Sequence, residues 1–249
     1  MKVKMPIEPN LEGYLSAVIK EGLYPNRGNL RFHLKTLFKG IALENRRVLD
    51  IGGGSGLHSF YAACVGAREV VCLEPETEGS RSGMGAKFRK LGGILGYDQV
   101  TFEPVTFQAF EPAGKQFDII LLHNSINHLN EIACINLLND EASRAIYLNI
   151  CSKLSSLASG GAKLIVCDCS RYNFFALLRI KNPFAPTIEW HKHQAPEVWV
   201  GLLSQVGFVN PRIEWSSFNT LRSLGRVLLG NRLLSYFLRS DFRFTVEKP

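Results

Sequence analysis

The sequence contains no uninterrupted apolar run of the roughly 18 residues that a membrane-spanning helix needs. Its first residues, MKVKMPIEPNLEG, have no apolar segment of the kind that secretory signals carry. Internal repeats and low-complexity linkers are also absent. The six cysteines are scattered, mostly within apolar segments, so we expect reduced thiols rather than a disulfide framework. Together these absences favour a cytoplasmic globular protein.

The composition predicts a single folded domain over residues 1–249. Apolar residues make up 46% of the chain and charged residues 20%, which excludes wholesale disorder. The net charge is +7, and the basic excess lies at the two ends. Residues 1–47 carry +5 and residues 219–249 carry +4, whereas residues 48–218 carry −2. The basic ends indicate either an anionic partner or a solvated basic surface.

Short apolar runs alternate with helical patterns along the chain. Strands are predicted at residues 47–51, 69–73, 100–105, 117–123, 162–168, 211–218 and 241–247. Helices are predicted at residues 57–65, 77–95, 140–158 and 196–206, with Gly160 and Gly161 ending the third. This order predicts an α/β protein with a doubly wound, mostly parallel seven-stranded sheet, which binds ligands at the carboxyl ends of its strands.

A glycine-rich loop, VLDIGGGSG at residues 48–56, follows the first predicted strand. Glycines allow a tight turn and a close approach of ligand to backbone, and the next helix presents its N-terminus there. An acid, Glu74, ends the next predicted strand, where a carboxylate can accept hydrogen bonds from both ribose hydroxyls. The dinucleotide pattern GxGxxG fails because Ser55 and Leu57 stand where it needs glycine. Asp50 also repels a pyrophosphate and suits a ligand with an ammonium and a sulfonium.

On these residues the chain resembles the class I S-adenosylmethionine-dependent methyltransferases. DIGGGSG matches their first motif and Glu74 their ribose-binding acid. FDIILLHNSINHL at 117–129, GGAKLIVCD at 160–168 and PEVWVGLLSQVGF at 196–208 are similar to later family segments, in the expected order. The resemblance implies an enzyme with a Rossmann-like methyltransferase fold, S-adenosyl-L-methionine as cofactor, an N-terminal helical cap at 1–45, and lid or substrate insertions at 171–194 and 219–239.

The resemblance also assigns roles in binding the cofactor. It implies that Asp50 orients the amino-acid end, that Glu74 holds the ribose and that Pro75 borders the adenine. Thr106 and Phe107 stand where the family often has an acid followed by a small apolar residue, so the chain departs from the pattern beside the adenine. The remaining expected cofactor contacts are the loop glycines and two residues beneath the cofactor after the fourth strand: Gly52, Gly53, Gly54, Gly56, His123 and Asn124.

Methyl transfer to oxygen requires a group that takes the acceptor's proton, and histidine is the usual base near neutral pH. We predict His128, in the segment INHL, and His123 as the candidates for this role. His191 and His193 in IEWHKHQ, spaced i, i+2, are further candidates for the base. No third ligand at a suitable spacing supports a zinc site there, so we expect no metal.

Two sequence motifs that are absent restrict the class of acceptor. No Pro-Pro pair follows the fourth strand, as it does in the family members that methylate exocyclic base nitrogens, and no Pro-Cys dipeptide supplies a nucleophile for cytosine. We therefore predict transfer to a small-molecule, lipid or sugar acceptor, on oxygen, and expect no nucleic-acid substrate of those types. Two alternatives stay open, an RNA-modifying methyltransferase, which the basic ends suggest, and a non-catalytic subunit that keeps the cofactor fold.

The two insertions carry the remaining signals. Residues 171–194 are rich in aromatic side chains, which suit an apolar or ring-bearing acceptor or simply pack on the sheet. Residues 219–239 place leucines at helical spacing with arginines between them. Such a basic amphipathic helix can lie on a membrane surface, form a lid wall or form a dimer face. The oligomeric state is not predicted.

Overall fold

The structure is a computed structural model, and it describes residues 7–75, 83–216 and 222–249. The strands are β1 (Arg47–Ile51), β2 (Glu69–Leu73), β3 (Val100–Glu103), β4 (Phe117–His123), β5 (Ala158–Cys169), β6 (Val209–Trp215) and β7 (Asp241–Glu247). The helices are α1 (Ile7–Lys20), α2 (Arg27–Leu37), α3 (Leu57–Cys64), α4 (Met84–Leu95), α5 (Glu131–Asn136), α6 (Glu141–Leu157), α7 (Phe174–Leu177), α8 (Pro196–Gln205), α9 (Arg222–Leu229) and α10 (Arg232–Tyr236). Ile126–Leu129 and Trp190–Lys192 form 3₁₀ turns.

The strands form one seven-stranded sheet in the order β3-β2-β1-β4-β5-β7-β6. β1 pairs in parallel with β2, and β2 with β3, whereas β7 pairs antiparallel with both β5 and β6. The predicted α/β class and the seven strands are confirmed, but the sheet is mixed because β7 runs against its neighbours. Apolar periodicity identifies a strand without giving its direction, so this departure was not predictable from the pattern.

The order of the strands reverses between β1 and β4. In open α/β sheets such a reversal marks the place where ligands bind, beyond the carboxyl ends of the strands. The loop after β1 is therefore where the fold is expected to bind a ligand.

Contacts group the chain into two compact units, Met1–Leu121 and Leu122–Pro249. In the first unit, α1 packs on α3 and α4, and buried aliphatic residues of β1 and β2 form the core. In the second, Tyr147 of α6 and Trp199 of α8 are fully buried, with ring centroids 5.1 Å apart. The single domain, and the roles of 1–45, 171–194 and 219–239 as cap and lids, stay predictions.

Two local predictions were wrong. Gly160 and Gly161 do not end a helix: α6 ends at Leu157, where Ala158 takes an extended conformation and begins β5 directly. Both glycines therefore lie inside the strand, and the Gly161 N–H donates to the Lys248 carbonyl (2.8 Å). Residues 222–236 form two helices rather than one, because the Asn231 side chain caps a new helix by accepting from the Leu234 N–H (3.0 Å).

Other predicted elements lie close to the observed ones, although residues 1–6, 77–82 and 217–221 of the predicted segments fall outside the described residues. All six cysteines are free thiols, as predicted. Within the described ranges, none of the helices is long and apolar enough to cross a bilayer.

Candidate cofactor site

The loop between β1 and α3 is tied to the carboxyl end of β2. The Gly52 and Gly53 N–H groups both donate to the Leu73 carbonyl, at 2.8 and 3.1 Å. Gly52, Gly54 and Gly56 have φ values of 71°, 57° and 77°, in the left-handed region that favours glycine. The three glycines of the pattern GxGxG therefore stand at the three positions whose backbone conformation favours glycine.

Two of the loop glycines, Gly53 and Gly56, also leave no room for a side chain. A Cβ atom on Gly53 would lie 2.5 Å from the Cys72 sulfur and 2.7 Å from the Asp50 Oδ2. A Cβ atom on Gly56 would lie 2.5 Å from the ring of Phe88. At these two positions the backbone packs directly on its surroundings, so both positions require glycine.

Asp50 is a buried acid with one unsatisfied oxygen. Its Oδ2 accepts a hydrogen bond from the Ser59 hydroxyl (2.7 Å), and the residue is 1% exposed. Its Oδ1 has no hydrogen-bond partner within the described part of the chain. Burial raises the pKa of Asp50 to about 6, the charge of Glu74 raises it further, and the Ser59 hydrogen bond opposes both. A cationic ligand group would satisfy this carboxylate.

Glu74 connects the end of β2 to the glycine loop. The residue is 7% exposed, and its Oε2 accepts from the Gly54 N–H at 2.9 Å. A carboxylate has about four lone-pair sites, so it can accept several hydrogen bonds at once, as holding a ribose requires. Pro75, half-buried, follows directly. The two acids predicted to hold the cofactor therefore lie against one loop.

Thr106 and Phe107 begin the turn after β3. Thr106 is exposed, and its hydroxyl oxygen accepts from the Ala109 N–H (3.2 Å). Phe107 is 2% exposed, so its side chain belongs to the core. Their predicted contacts with the adenine stay a prediction.

In the second unit, His123 ends β4 and is half-buried. Asn124 follows with a φ of 54°, a left-handed conformation that asparagine tolerates better than most residues, and its N–H donates to the Cys167 carbonyl (2.8 Å). The chain thus turns sharply where β4 ends.

His128, the first candidate base, lies in the 3₁₀ turn that follows β4. Its Nδ1 is 2.6 Å from the Glu131 Oε1, and Glu131 also pairs with Lys192 (3.1 Å). The side chain of His128 is 54% exposed. Glu131 therefore orients the imidazole, while water has free access to it.

A second histidine–carboxylate pair is more deeply buried. The His193 Nδ1 lies 2.9 Å from the Asp168 Oδ1, and the two side chains are 13% and 1% exposed. Asp168 follows the apolar run of β5, one residue before the strand ends. Its Oδ1 also accepts a hydrogen bond from the Cys169 N–H (2.8 Å). The sequence offers His193 as a candidate base but not its partner, because Asp168 lies 25 residues away and shares no pattern with it.

The Cys169 sulfur lies within 4.8 Å of ligand atoms of Asp168 and His193, a spacing at which three such groups can hold a metal ion. Burial raises the pKa of the Cys169 thiol well above its ordinary range. Without a metal ion the Cys169 sulfur therefore stays a thiol. The direct contact within this group is the hydrogen bond by which Asp168 orients His193.

No protein-family model matches the chain. Over 90 residues the chain is 34% identical to the ubiquinone biosynthesis O-methyltransferase of Rhizobium johnstonii, a match that covers 36% of this chain and 34% of that protein. The enzyme of the same name from Rhizobium etli matches to the same extent. The match thus spans about a third of the length of these curated relatives.

Solved structures match over almost the whole chain. An S-adenosylmethionine-dependent methyltransferase from Aquifex aeolicus superposes with a TM-score of 0.58 and 16% identity, covering 98% of both chains. One from Mesorhizobium loti superposes with a TM-score of 0.58 and 13% identity, covering 87% of this chain and 96% of that one. At these identities the likeness concerns the fold.

Proposed function

This chain has the fold of the class I S-adenosylmethionine-dependent methyltransferases, and we propose that it transfers a methyl group from S-adenosylmethionine to a hydroxyl oxygen of a small-molecule, lipid or sugar acceptor. The observation that carries the proposal is the pair of buried acids, Asp50 and Glu74, on one glycine loop. A fold hosts many functions, so the argument depends on this site.

The residues present fit the cofactor. The unsatisfied Asp50 Oδ1 suits its ammonium, directly or through water. Gly52, Gly53, Gly54 and Gly56 would wrap its methionine end and ribose, and Glu74 would hold the ribose hydroxyls. Pro75 after β2, Thr106 and Phe107 in the turn after β3, and His123 and Asn124 at the end of β4 complete the proposed contacts. The buried side chain of Phe107 leaves its backbone for this role. Residues 1–45 would cap these contacts.

When bound, S-adenosylmethionine supplies a methyl carbon that its sulfonium already activates. The protein's task is therefore to align the acceptor and exclude water. An acceptor hydroxyl must also lose its proton, and a base of suitable pKa near the working pH speeds that loss.

Two oriented histidines can take this proton. In the tautomer in which Nδ1–H donates to a carboxylate, Nε2 carries the lone pair that can accept a proton. The His128 Nε2 also lies 3.5 Å from the Asn127 side-chain amide nitrogen. His128 with Glu131 fulfils this arrangement at the surface, and His193 with Asp168 fulfils it in a buried setting. Because a base shielded from water acts in a lower dielectric, we favour His193, keep His128 as the second candidate and His123 as the third.

The Rhizobium relatives support oxygen as the acceptor atom, since both are named O-methyltransferases. Their partial coverage leaves the acceptor itself open. Small-molecule and lipid acceptors fit the aromatic residues of 171–194 equally well.

The test uses S-adenosylmethionine labelled in its methyl group and matched pairs of acceptors. Each pair presents the same catechol, sugar or alkyl skeleton with either a hydroxyl or an amino group. We expect label in hydroxyl acceptors only. Labelled amines would refute oxygen as the acceptor atom, and cofactor binding without transfer to any acceptor would favour a non-catalytic subunit.

A further inference from the structure

Large apolar side chains are exposed unevenly over the surface. Fourteen are exposed in the part of the chain that the structure describes, and nine of these lie between residues 172 and 184 or between 224 and 237. Leu177, Leu224 and Leu233 are 59%, 65% and 67% exposed. A packing role for these segments does not explain this, because packing would remove such side chains from water.

These two segments contact one another. The ring of Phe174 lies 5.4 Å from that of Phe237, between centroids. The Asn182 side-chain amide donates to the Leu238 carbonyl (2.7 Å), and the Ser240 hydroxyl donates to the Tyr172 carbonyl (3.1 Å). We call residues 171–188 and 222–240 together the basic apolar face.

The sequence of these two segments is also basic. Residues 171–188 contain three basic residues and residues 222–240 contain four, and neither segment contains an acid. Two of these cations pair with acids outside the segments, Arg232 with Glu197 and Arg239 with Asp241, each at 3.3 Å. Arg179 and Lys181 are exposed and alternate with the exposed Leu178 and Ile180.

We propose that the basic apolar face docks on the surface of a bilayer rich in anionic phospholipid. Exposed leucines and aromatics mixed with cations are typical of elements that lie in the interface of a membrane, where cations meet phosphate and apolar groups enter the acyl boundary. Nucleic acid would match the cations but leave the leucines in water. The proposal does not depend on methyl transfer, and it extends the predicted contact of 219–239 to a second segment.

The test is flotation of the full chain with vesicles of equal parts phosphatidylserine and phosphatidylcholine, and with vesicles of phosphatidylcholine alone, without cofactor. We expect binding to the anionic vesicles only, weakening as salt is raised. Arg179→Glu with Lys181→Glu should weaken binding on the order of 100-fold, since each cation near such a surface contributes substantially. Leu177→Ser with Leu178→Ser should weaken it about tenfold.

Matched controls lie elsewhere on the chain. Lys87→Glu with Arg89→Glu changes the same charge on α4, and Ile132→Ser removes a side chain that is 76% exposed on α5. Neither should alter flotation. Calorimetric titration of S-adenosylmethionine into the face variants, expected to match the unmodified protein, separates this proposal from the catalytic one.

Three results would overturn the proposal. One is equal binding to both vesicle types. Another is binding of a mixed-sequence RNA that the Arg179→Glu, Lys181→Glu variant abolishes and the Leu177→Ser, Leu178→Ser variant leaves unchanged. The last is self-association in the absence of lipid that the leucine variant abolishes, which would make the face a contact between copies of this chain.

Discussion

Replacing Asp50 with asparagine should weaken cofactor binding while changing the free energy of unfolding of the unliganded protein little. The pKa of Asp50 is raised from its ordinary 3.8 to about 6, chiefly by burial. A carboxyl with a raised pKa contributes stability that is fully present below the unfolded pKa and is lost as the pH rises through the folded one. Keeping it ionised at pH 8 therefore costs about 3 kcal/mol of the free energy of unfolding.

In the unliganded protein, Asp50→Asn removes this cost. The new amide N–H stands where Oδ1 lacks a partner, and an unpaired buried donor costs about 1–3 kcal/mol, so the absolute stability changes little. The pH dependence is the sharper quantity. Between pH 8 and pH 5 the group stabilises the unmodified protein by about 1.4 kcal/mol, and the variant lacks this gain.

Between pH 8 and pH 5, His33 changes the free energy of unfolding in the opposite direction to Asp50. Burial lowers the pKa of His33 to about 4, so stability is lost as the pH falls below 6.5. This amounts to about 2 kcal/mol at pH 5, and it outweighs the contribution of Asp50. Because His33 is present in both proteins, the difference between them isolates Asp50.

The assay is urea unfolding of both proteins at pH 8 and pH 5 without cofactor, followed by titration of S-adenosylmethionine at pH 8. Losing the charged partner of an ammonium should weaken binding about 10- to 100-fold. Asp118→Asn, a partly buried acid of β4 that accepts from the Arg47 N–H, is the control and should leave binding unchanged. Unchanged binding in Asp50→Asn, or a pH dependence parallel to that of the unmodified protein, would refute the reasoning.

The remaining predictions concern the loop, the buried histidine and the proposed base. Gly56→Ala should lower the free energy of unfolding by about 2–4 kcal/mol, because the residue has a left-handed φ and the new Cβ would clash with Phe88. Gly93→Ala is the control: there is open space around Gly93, so the change should not destabilise α4. His33→Gln should remove about 2 kcal/mol of acid destabilisation between pH 7 and pH 5 in urea unfolding. Asp168→Asn should lower kcat about 100-fold or more and change the ¹⁵N tautomer signature of His193, without affecting cofactor affinity; an unchanged kcat would assign Asp168 to packing alone.

Much of the fold follows from local patterns. The bounds of β1, β2, β4 and β7 coincide with the apolar runs that predicted them. The glycine loop was also readable, because each of its left-handed positions admits little besides glycine.

The parts that were missed depend on tertiary contacts. The direction of β7 is decided by which edges are left to pair with, and apolar alternation is the same in both directions. The helix before β5 ends at Leu157, ahead of Gly160, because Ala158 already takes an extended conformation. Asp168 and His193 meet only because the insertion after β5 folds back, which spacing along the chain does not encode.

The central claim is that Glu74 and the glycine loop hold S-adenosylmethionine. Calorimetric titration of the cofactor into the unmodified protein, Glu74→Gln and Glu69→Gln tests it directly, with NADH as the alternative ligand. Both glutamates are on or next to β2, at opposite ends, and Glu69 pairs with Arg47 (3.0 Å) away from the loop. We predict binding of S-adenosylmethionine that Glu74→Gln weakens about tenfold or more and Glu69→Gln leaves intact. Preference for NADH, or equal binding by both variants, would contradict the account.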